Sequence, residues 1–207
     1  SYPTQCPSCG TTLVREEDEA AWRCPNMECK AQILQRLIFH VSKDAMDIDG
    51  FGEKYILRFY ELGWIKNMAD LYQLDYDKIA ALEGFGKKSA DKLKAAIDKA
   101  KSNPIHRLLH SLSIHHVGQR ASKLITEKIN HLLDLAGWST EDYIAIKDIG
   151  PVVAQNAIKW FSQEENIAML REMEALGVNL TQTPQDKPKE LISDGVFSGK
   201  TILFTGT

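Results

Sequence analysis

The sequence predicts a mainly α-helical protein that begins with a small zinc ribbon held by four cysteines. Three observations support this fold class. All four cysteines of the 207-residue chain lie within the first thirty residues. Four short glycine signals then recur at a nearly constant interval, each between two stretches of helical period. Strand signals are nearly absent until the end of the chain, where Ile202-Leu203-Phe204 predicts one buried strand.

The cysteines follow the pattern C-x2-C-x14-C-x4-C. They are Cys6, Cys9, Cys24 and Cys29. Two close pairs at this separation suit a tetrahedral Zn²⁺ site, because each short loop supplies two thiolates. Four thiolates leave no open coordination position, so the zinc is predicted to be structural. Two disulfides are the alternative, which the intracellular character of the rest of the chain disfavours.

The glycine signals form an internal repeat with the layout apolar-x-(Gly)-apolar-Gly. They are Ile48-Asp49-Gly50-Phe51-Gly52, Leu82-Glu83-Gly84-Phe85-Gly86, Ile114-His115-His116-Val117-Gly118 and Ile146-Lys147-Asp148-Ile149-Gly150. Their last glycines lie 34, 32 and 32 residues apart. We therefore predict a unit of helix, tight hairpin and helix, used four times. A lone Gly-x-Gly is more often an ordinary turn, but four in register with the same apolar partners favour a function.

The hairpins are predicted to bind phosphate. Glycine lets a ligand approach the backbone closely, and the start of the following helix offers free N–H groups. The predicted contact residues are the hairpin glycines and the polar residues that begin the next helix, namely Gly50, Gly52, Lys54, Gly84, Gly86, Lys87, Lys88, Gly118, Gln119, Arg120 and Gly150. On a nucleic acid, such contacts recognise the geometry of the sugar-phosphate backbone and not the bases. Binding is therefore predicted to be independent of the nucleotide sequence. Because His116 and Asp148 replace glycine and Pro151 removes a donor, the second and third hairpins are expected to bind best.

The charge distribution agrees with a polyanionic ligand along one face. The net charge is −3, but residues 77–131 contain 11 Lys/Arg and 5 Asp/Glu, a local excess of +6. Any contact between the zinc ribbon and DNA is expected to come from flanking groups such as Arg15, Arg23 or Lys30. No apolar run is long enough to span a membrane and no signal-peptide pattern opens the chain, so we predict an intracellular protein without a membrane partner.

Two further residue types have competing interpretations. His106 and His110 lie four residues apart and are candidate metal ligands, but without a third ligand nearby a surface or DNA-facing position is favoured. The four tryptophans are predicted to pack in the core or against the zinc ribbon.

The order of modules resembles the C-terminal half of the bacterial NAD-dependent DNA ligases. The resemblance rests on Cys-Pro-Ser-Cys-Gly10, Ala45-Met-Asp-Ile-Asp-Gly-Phe-Gly52, His116-Val-Gly118, Gly150-Pro-Val-Val-Ala154 and Gly199-Lys-Thr-Ile-Leu-Phe-Thr-Gly206. Residues 1–30 are then expected to form a four-cysteine zinc finger and 31–180 a helix-hairpin-helix DNA-binding domain. Residues 181–195 would be a linker, and 196–207 the start of a truncated BRCT domain.

The resemblance also implies a function. In that family the helical domain grips both backbones of nicked duplex DNA across the minor groove, and the enzyme seals nicks in replication and repair in the cytoplasm, on the nucleoid. The nucleophilic lysine lies in a Lys-x-Asp-Gly motif, which does not occur here. We therefore expect no catalytic residue in this chain and no activity alone. NAD and Mg²⁺ would bind outside it, on adenylation and oligonucleotide-binding domains of the same protein.

Other classes are weighed against this interpretation. A stand-alone helix-hairpin-helix scaffold of a repair or recombination complex would share the hairpins but need neither the zinc ribbon nor a BRCT strand. A base-excision glycosylase would need a catalytic Lys or Asp in a pocket beside a hairpin, and Lys87 and Lys88 are too close to the expected phosphate. A protein-binding helical domain would have no affinity for duplex DNA.

Overall fold

The computed structural model describes residues 4–15, 17, 22–26 and 29–187, which fall into two compact units. The first unit covers Ser1–Asp98 and the second Lys99–Thr207. The helical body expected as one domain over 31–180 is thus divided, and the division lies inside a helix. The mainly helical fold class with an N-terminal cysteine site is confirmed.

The first unit starts with the zinc ribbon. Short antiparallel bridges pair Gln5 with Thr12 and Val14 with Arg23. Cys6, Cys24 and Cys29 form the small core of the ribbon, with Leu13 and Ala31 packed against them. A ribbon of this size buries little apolar surface, so its stability depends on the Zn²⁺ ion that the four cysteines are predicted to bind.

Helices make up the rest of the first unit. They are α1 (Lys30–Val41), α2 (Glu53–Glu61), a 3₁₀ turn (Met68–Tyr72), α3 (Tyr76–Ala80) and α4 (Lys87–Ala100). Helix α1 packs on α2. The core of the unit is built from apolar side chains with no exposed surface, including Ile56, Phe59, Ile65, Leu71 and Ile79. Ile56 and Phe59 lie three positions apart in α2, so both are on the face of that helix that turns inward.

The second unit repeats the same architecture. Its elements are α5 (Ile105–Ser111), α6 (Gln119–Thr126), a 3₁₀ turn (Leu132–Gly137), α7 (Thr140–Ile144), α8 (Pro151–Phe161), α9 (Glu164–Ala175) and a 3₁₀ turn (Pro184–Asp186). Helix α5 packs on α6, and α8 packs on both α7 and α9. A capping box begins α7: Ser139 accepts from the Asp142 N–H, and the Asp142 carboxylate accepts from the Ser139 N–H.

The C-terminal segment differs from the linker expected at 181–195. Thr181 bridges to His131, and Gln182 donates its backbone N–H to the Asn130 carbonyl. Asp186 is fully buried. The chain up to Lys187 is therefore part of the second unit, because side-chain contacts outweigh the turn-forming composition. The remainder of the expected linker and the expected BRCT strand at 196–207 lie outside the described residues.

Candidate nucleic-acid interface and zinc site

The four cysteines form a cluster whose geometry fits a tetrahedral metal ion. Their sulfur atoms all lie within 4.8 Å of one another. The Sγ atoms of Cys6 and Cys29 are 3.7 Å apart, and those of Cys9 and Cys24 are 3.6 Å apart. A tetrahedron with Zn–S bonds of about 2.3 Å has edges of about 3.8 Å, so these distances match zinc and are too long for disulfides.

The surroundings of three of the thiols shift their pKa values in different directions. The hydroxyl of Thr11 lowers the pKa of Cys9 to about 6, whereas burial raises the pKa of Cys24 to about 12. The pKa of Cys29 is lowered, first by the backbone N–H of Gln32 in the first turn of α1. A divalent cation favours the thiolate form of all four sulfurs. The cluster is a four-cysteine zinc-binding site that connects the ribbon to the start of α1.

The four hairpins have the same turn geometry. In each, the N–H of the second apolar residue donates to the carbonyl of the first, namely Phe51 to Ile48 at 3.3 Å, Phe85 to Leu82 at 3.1 Å, Val117 to Ile114 at 2.9 Å and Ile149 to Ile146 at 3.1 Å. The residue before the donor has a positive φ, of 81° at Gly50, 88° at Gly84, 66° at His116 and 74° at Asp148. This is the pattern of a type II turn. His116 and Asp148 thus keep the turn that glycine makes in the first two hairpins.

The last glycine of each hairpin begins the next helix. Gly52, Gly118 and Gly150 are N-cap residues with extended backbone, at φ −87°, −83° and −98°. Glycine has no side chain, so the N-cap residue supplies no capping hydrogen bond at these three helix starts. The Gly86 carbonyl likewise accepts from Ala90 at the start of α4. Each hairpin therefore leaves first-turn N–H groups available to an external acceptor, one fewer where Pro151 follows.

Apolar residues attach the hairpins to their helices. Six of the eight positions are buried, at Ile48, Phe51, Ile114, Val117, Ile146 and Ile149. Leu82 and Phe85 in the second hairpin are half-buried. The Phe85 ring lies 4.6 Å from that of Tyr55 in α2, so the second hairpin packs on the helix that follows the first. The turns are held by their own packing and do not need a ligand to form.

The predicted side chains surround these helix starts. Lys54, Lys88 and Arg120 each occupy the second position after the last glycine, and all three are exposed. Lys87 and Gln119, at the first position, are exposed as well. The fourth hairpin has the exposed Val152 at the second position. The first two hairpins share one unit and the last two share the other, so the predicted contact residues form two sets, each described within its own unit.

Comparison with known proteins agrees with this geometry. Residues 5–31 match the C4 zinc finger domain of NAD-dependent DNA ligase. Residues 42–99 match a SAM-like helix-hairpin-helix tandem, and 107–170 match a helix-hairpin-helix motif. The chain carries the zinc finger of the NAD-dependent DNA ligases beside helix-hairpin-helix domains. The two helical matches lie in different compact units, with two hairpins in each.

The similarity to DNA ligases extends along the chain. It is 46% identical over 206 residues to a DNA ligase of Persephonella marina, which covers 100% of this chain and 28% of the relative. It is 42% identical over 206 residues to a DNA ligase of Bacillus subtilis, covering 100% of this chain and 31% of the relative. A DNA ligase of Sulfurihydrogenibium azorense is 38% identical over 99% of this chain and 28% of its own length. The chain thus spans about three tenths of these ligases.

One prediction about an individual side chain of this ligase-related chain needs correction, and one about the tryptophans does not. His106 is half-buried instead of lying on the surface: its Nδ1 lies 2.7 Å from the carboxylate of Asp186. Trp22 agrees with the predicted packing against the zinc ribbon: 42% of it is exposed, and the guanidinium of Arg15 in the ribbon lies 5.3 Å from its ring centroid. The other tryptophans are half-buried against aromatic rings, as Trp64 is against Phe59.

One contact in the hairpins has no signal in the sequence. Nη2 of Arg120 donates to Oδ2 of Asp148 at 2.9 Å, which joins the third hairpin to the fourth. The two residues are 28 positions apart, and the local pattern of neither predicts the other.

None of the helices in the described part of the ligase-related chain combines the length and hydropathy that crossing a bilayer requires.

Proposed function

We propose that this chain is the DNA-gripping part of an NAD-dependent DNA ligase. It binds duplex DNA at a nick through the hairpin amides and the neighbouring cations, on the phosphate backbone along the minor groove and without sequence preference. The observation that carries the proposal is the fourfold repetition of one turn followed by a helix start. Phosphate is the acceptor that such helix starts favour.

The last glycine of each hairpin supports this function. Gly118 has an extended backbone that any residue adopts, and a Cβ there would meet no atom of the described residues within 4 Å. The same space lies open at Gly52, Gly86 and Gly150. The fold therefore gives no reason for glycine at these positions, where a capping side chain would stabilise the helix. Close approach of an external phosphate does give a reason, because a side chain would stand over the amides.

The proposal also covers the other domains of the ligase and the place where it works. The chain spans 28% to 31% of the relatives' length, which leaves room for adenylation and oligonucleotide-binding domains that hold NAD and Mg²⁺. The zinc finger braces the DNA-gripping part, residues 196–207 begin a BRCT domain, and the protein works in the bacterial cytoplasm on the nucleoid. The match to the ligase zinc finger favours this function over a stand-alone hairpin scaffold.

Fluorescence anisotropy with labelled nicked duplex tests the proposal. The logarithm of the association constant should fall linearly with the logarithm of the salt concentration, and duplexes of unrelated sequence should bind equally. Gly86→Asp should remove most of the binding, because its carboxylate accepts hydrogen bonds from the N–H groups at the helix start and repels phosphate. Gly137→Asp is the matched control, since Gly137 lies outside the hairpins and its Cβ position is also open.

A second experiment tests whether the adenylation site of the ligase lies outside this chain. Incubation of the chain with NAD labelled in its adenylate moiety should leave the protein unlabelled. Transfer of label to the chain would contradict the placement of the adenylation site elsewhere. Equal affinity of Gly86→Asp and the unsubstituted chain for duplex DNA would contradict binding through the hairpins.

A further inference from the structure

We propose that Asp148 in the fourth hairpin is an internal competitor for the phosphate at the third hairpin. Its carboxylate holds Arg120 in the free protein, and DNA binds there by exchanging that carboxylate for a phosphate oxygen. Asp148 thereby limits the affinity of the second unit for DNA. This inference rests on the proposed DNA-binding function and concerns how one of its contacts is regulated.

The geometry of the pair is that of a charge-assisted hydrogen bond. Nη2 of Arg120 lies 2.9 Å from Oδ2 of Asp148. Arg120 is the second residue of α6, which begins directly after the N-cap Gly118. The carboxylate is therefore bound by the side chain that, in the proposed function, meets phosphate at this helix start.

The backbone of Asp148 does not require an acidic side chain. Its φ of 74° is a conformation that glycine adopts most easily, and Gly50 and Gly84 occupy the equivalent positions in the first two hairpins. Aspartate and asparagine tolerate this conformation better than other residues, but at a cost relative to glycine. The turn alone thus does not explain Asp148, whereas the contact with Arg120 does.

The charges of the fourth hairpin differ from those of the others. At the position occupied by Lys54, Lys88 and Arg120, the fourth hairpin has Val152. Its exposed cation, Lys147, is in the turn itself, next to Asp148. An anion in this turn therefore offsets a cation of the neighbouring hairpin, and the local field that attracts phosphate is weaker than the sequence of the third hairpin implies.

Exposure of the two groups makes the exchange feasible. The side chain of Arg120 is 77% exposed and that of Asp148 is 48% exposed. An ion pair in such a position is weak and is screened by salt, so a phosphate can replace the carboxylate. The displaced carboxylate then lies near the phosphate and repels it. Both effects lower the affinity for DNA, and both disappear when the charge of Asp148 is removed.

The test is a double-mutant cycle measured by anisotropy with nicked duplex at low salt. Asp148→Asn keeps the shape of the side chain and tolerates a positive φ, and it should strengthen binding about two- to fivefold. Asp148→Gly, which copies the first two hairpins, should do the same. In an Arg120→Ala background, Asp148→Asn should recover clearly less of this gain. Glu165→Gln, which removes one exposed charge from α9, is the control for net charge and should leave binding nearly unchanged.

The outcomes separate this inference from the proposed function. The inference is overturned if Asp148→Asn weakens or does not change binding, or if its gain is the same without Arg120, while Gly118→Asp still abolishes binding. The proposed function then stands. If the folded, unsubstituted chain binds no duplex even at low salt, both are overturned together. A gain that depends on Arg120 and fades as salt rises supports the inference.

Discussion

The carboxylate of Asp186 binds His106 twice, although 80 positions separate them in the sequence. One carboxylate oxygen accepts from the backbone N–H of His106 at 2.9 Å and lies 2.7 Å from its ring Nδ1. The other accepts from the N–H of Ile105 and from the N–H and hydroxyl of Thr183. Asp186 therefore caps the start of α5 from a distant part of the chain and fastens the C-terminal segment to the second unit.

Removal of the Asp186 charge should destabilise the second unit. Asp186→Asn places an amide N–H₂ among donors and should cost about 2 kcal/mol, since the group is fully buried and its hydrogen bonds are charge-assisted. Hydrogen exchange at the amides of Ile105 and His106 measures the loss. The control is Asp142→Asn, an exposed capping-box carboxylate of the same unit, which should cost about 1 kcal/mol or less. Equal exchange in the Asp186→Asn variant and the unsubstituted chain would refute the assignment.

Acid should weaken the second unit through the same residue. Burial alone would raise the pKa of Asp186, but the hydrogen bonds from His106 and Thr183 outweigh it and the pKa lies below its ordinary value of 3.8. A carboxyl whose pKa is lowered by folding contributes stability above its unfolded pKa and loses it as the pH falls through the folded pKa. Urea unfolding followed at α5 should show this decline below about pH 4, and Asp186→Asn should lack that part of the decline. An identical acid profile in the variant would contradict the linkage.

Removal of zinc should unfold the ribbon and leave the second unit intact. The ribbon core consists of three buried cysteines with Leu13 and Ala31, which is too little apolar surface to hold a fold alone. Chelation should release one zinc ion per chain and abolish exchange protection at Val14 and Arg23, whereas amides of α8 should keep theirs. Retention of the ribbon signals in chelator, or two disulfides found by mass spectrometry, would contradict a structural four-cysteine site.

The repeated hairpins are the part of the structure that could be predicted best. Their turns are local: an apolar residue, a positive φ and a glycine within five residues determine them, and each predicted signal forms the same hydrogen bond. Helices also flank each signal as the helical period predicts, because each such helix buries one face.

Contacts distant in sequence could not be predicted. The sequence around Asp186 is rich in proline and charge and predicted a linker, since nothing local shows that a carboxylate there meets α5. The Arg120–Asp148 pair is hidden for the same reason. Helix α3 has no clear signal in the sequence either, because a five-residue helix with one buried side chain, Ile79, is too short to show a period.

Loss of a single predicted cation should reduce the salt dependence of DNA binding. Lys88→Ala should lower the slope of log association constant against log salt by about 0.9, the value for one phosphate contact on duplex DNA. Lys159→Ala, an exposed lysine in the last turn of α8, should leave the slope unchanged. Equal slopes for Lys88→Ala and the unsubstituted chain would remove Lys88 from the interface.

An acidic residue in place of a hairpin glycine should separate stability from binding. Gly118→Asp introduces a favoured N-cap residue at an extended backbone position with open space around its Cβ, so stability should be unchanged or higher by up to about 1 kcal/mol. Affinity for duplex DNA should fall about tenfold or more, because the carboxylate accepts hydrogen bonds from the N–H groups that would otherwise bind phosphate. Thermal unfolding and anisotropy on the same sample give both values. A variant that loses stability together with binding would indicate a structural role for Gly118.

Chemical-shift mapping of the backbone amides during titration with nicked duplex shows where DNA meets the chain. In the proposed function, the amides at the helix starts after Gly52, Gly86, Gly118 and Gly150 hold the phosphate backbone. The largest changes should occur at these four helix starts, and they should diminish as salt is added. Binding that shifts other surfaces, such as α9, while the hairpin amides stay unchanged would contradict the proposed function.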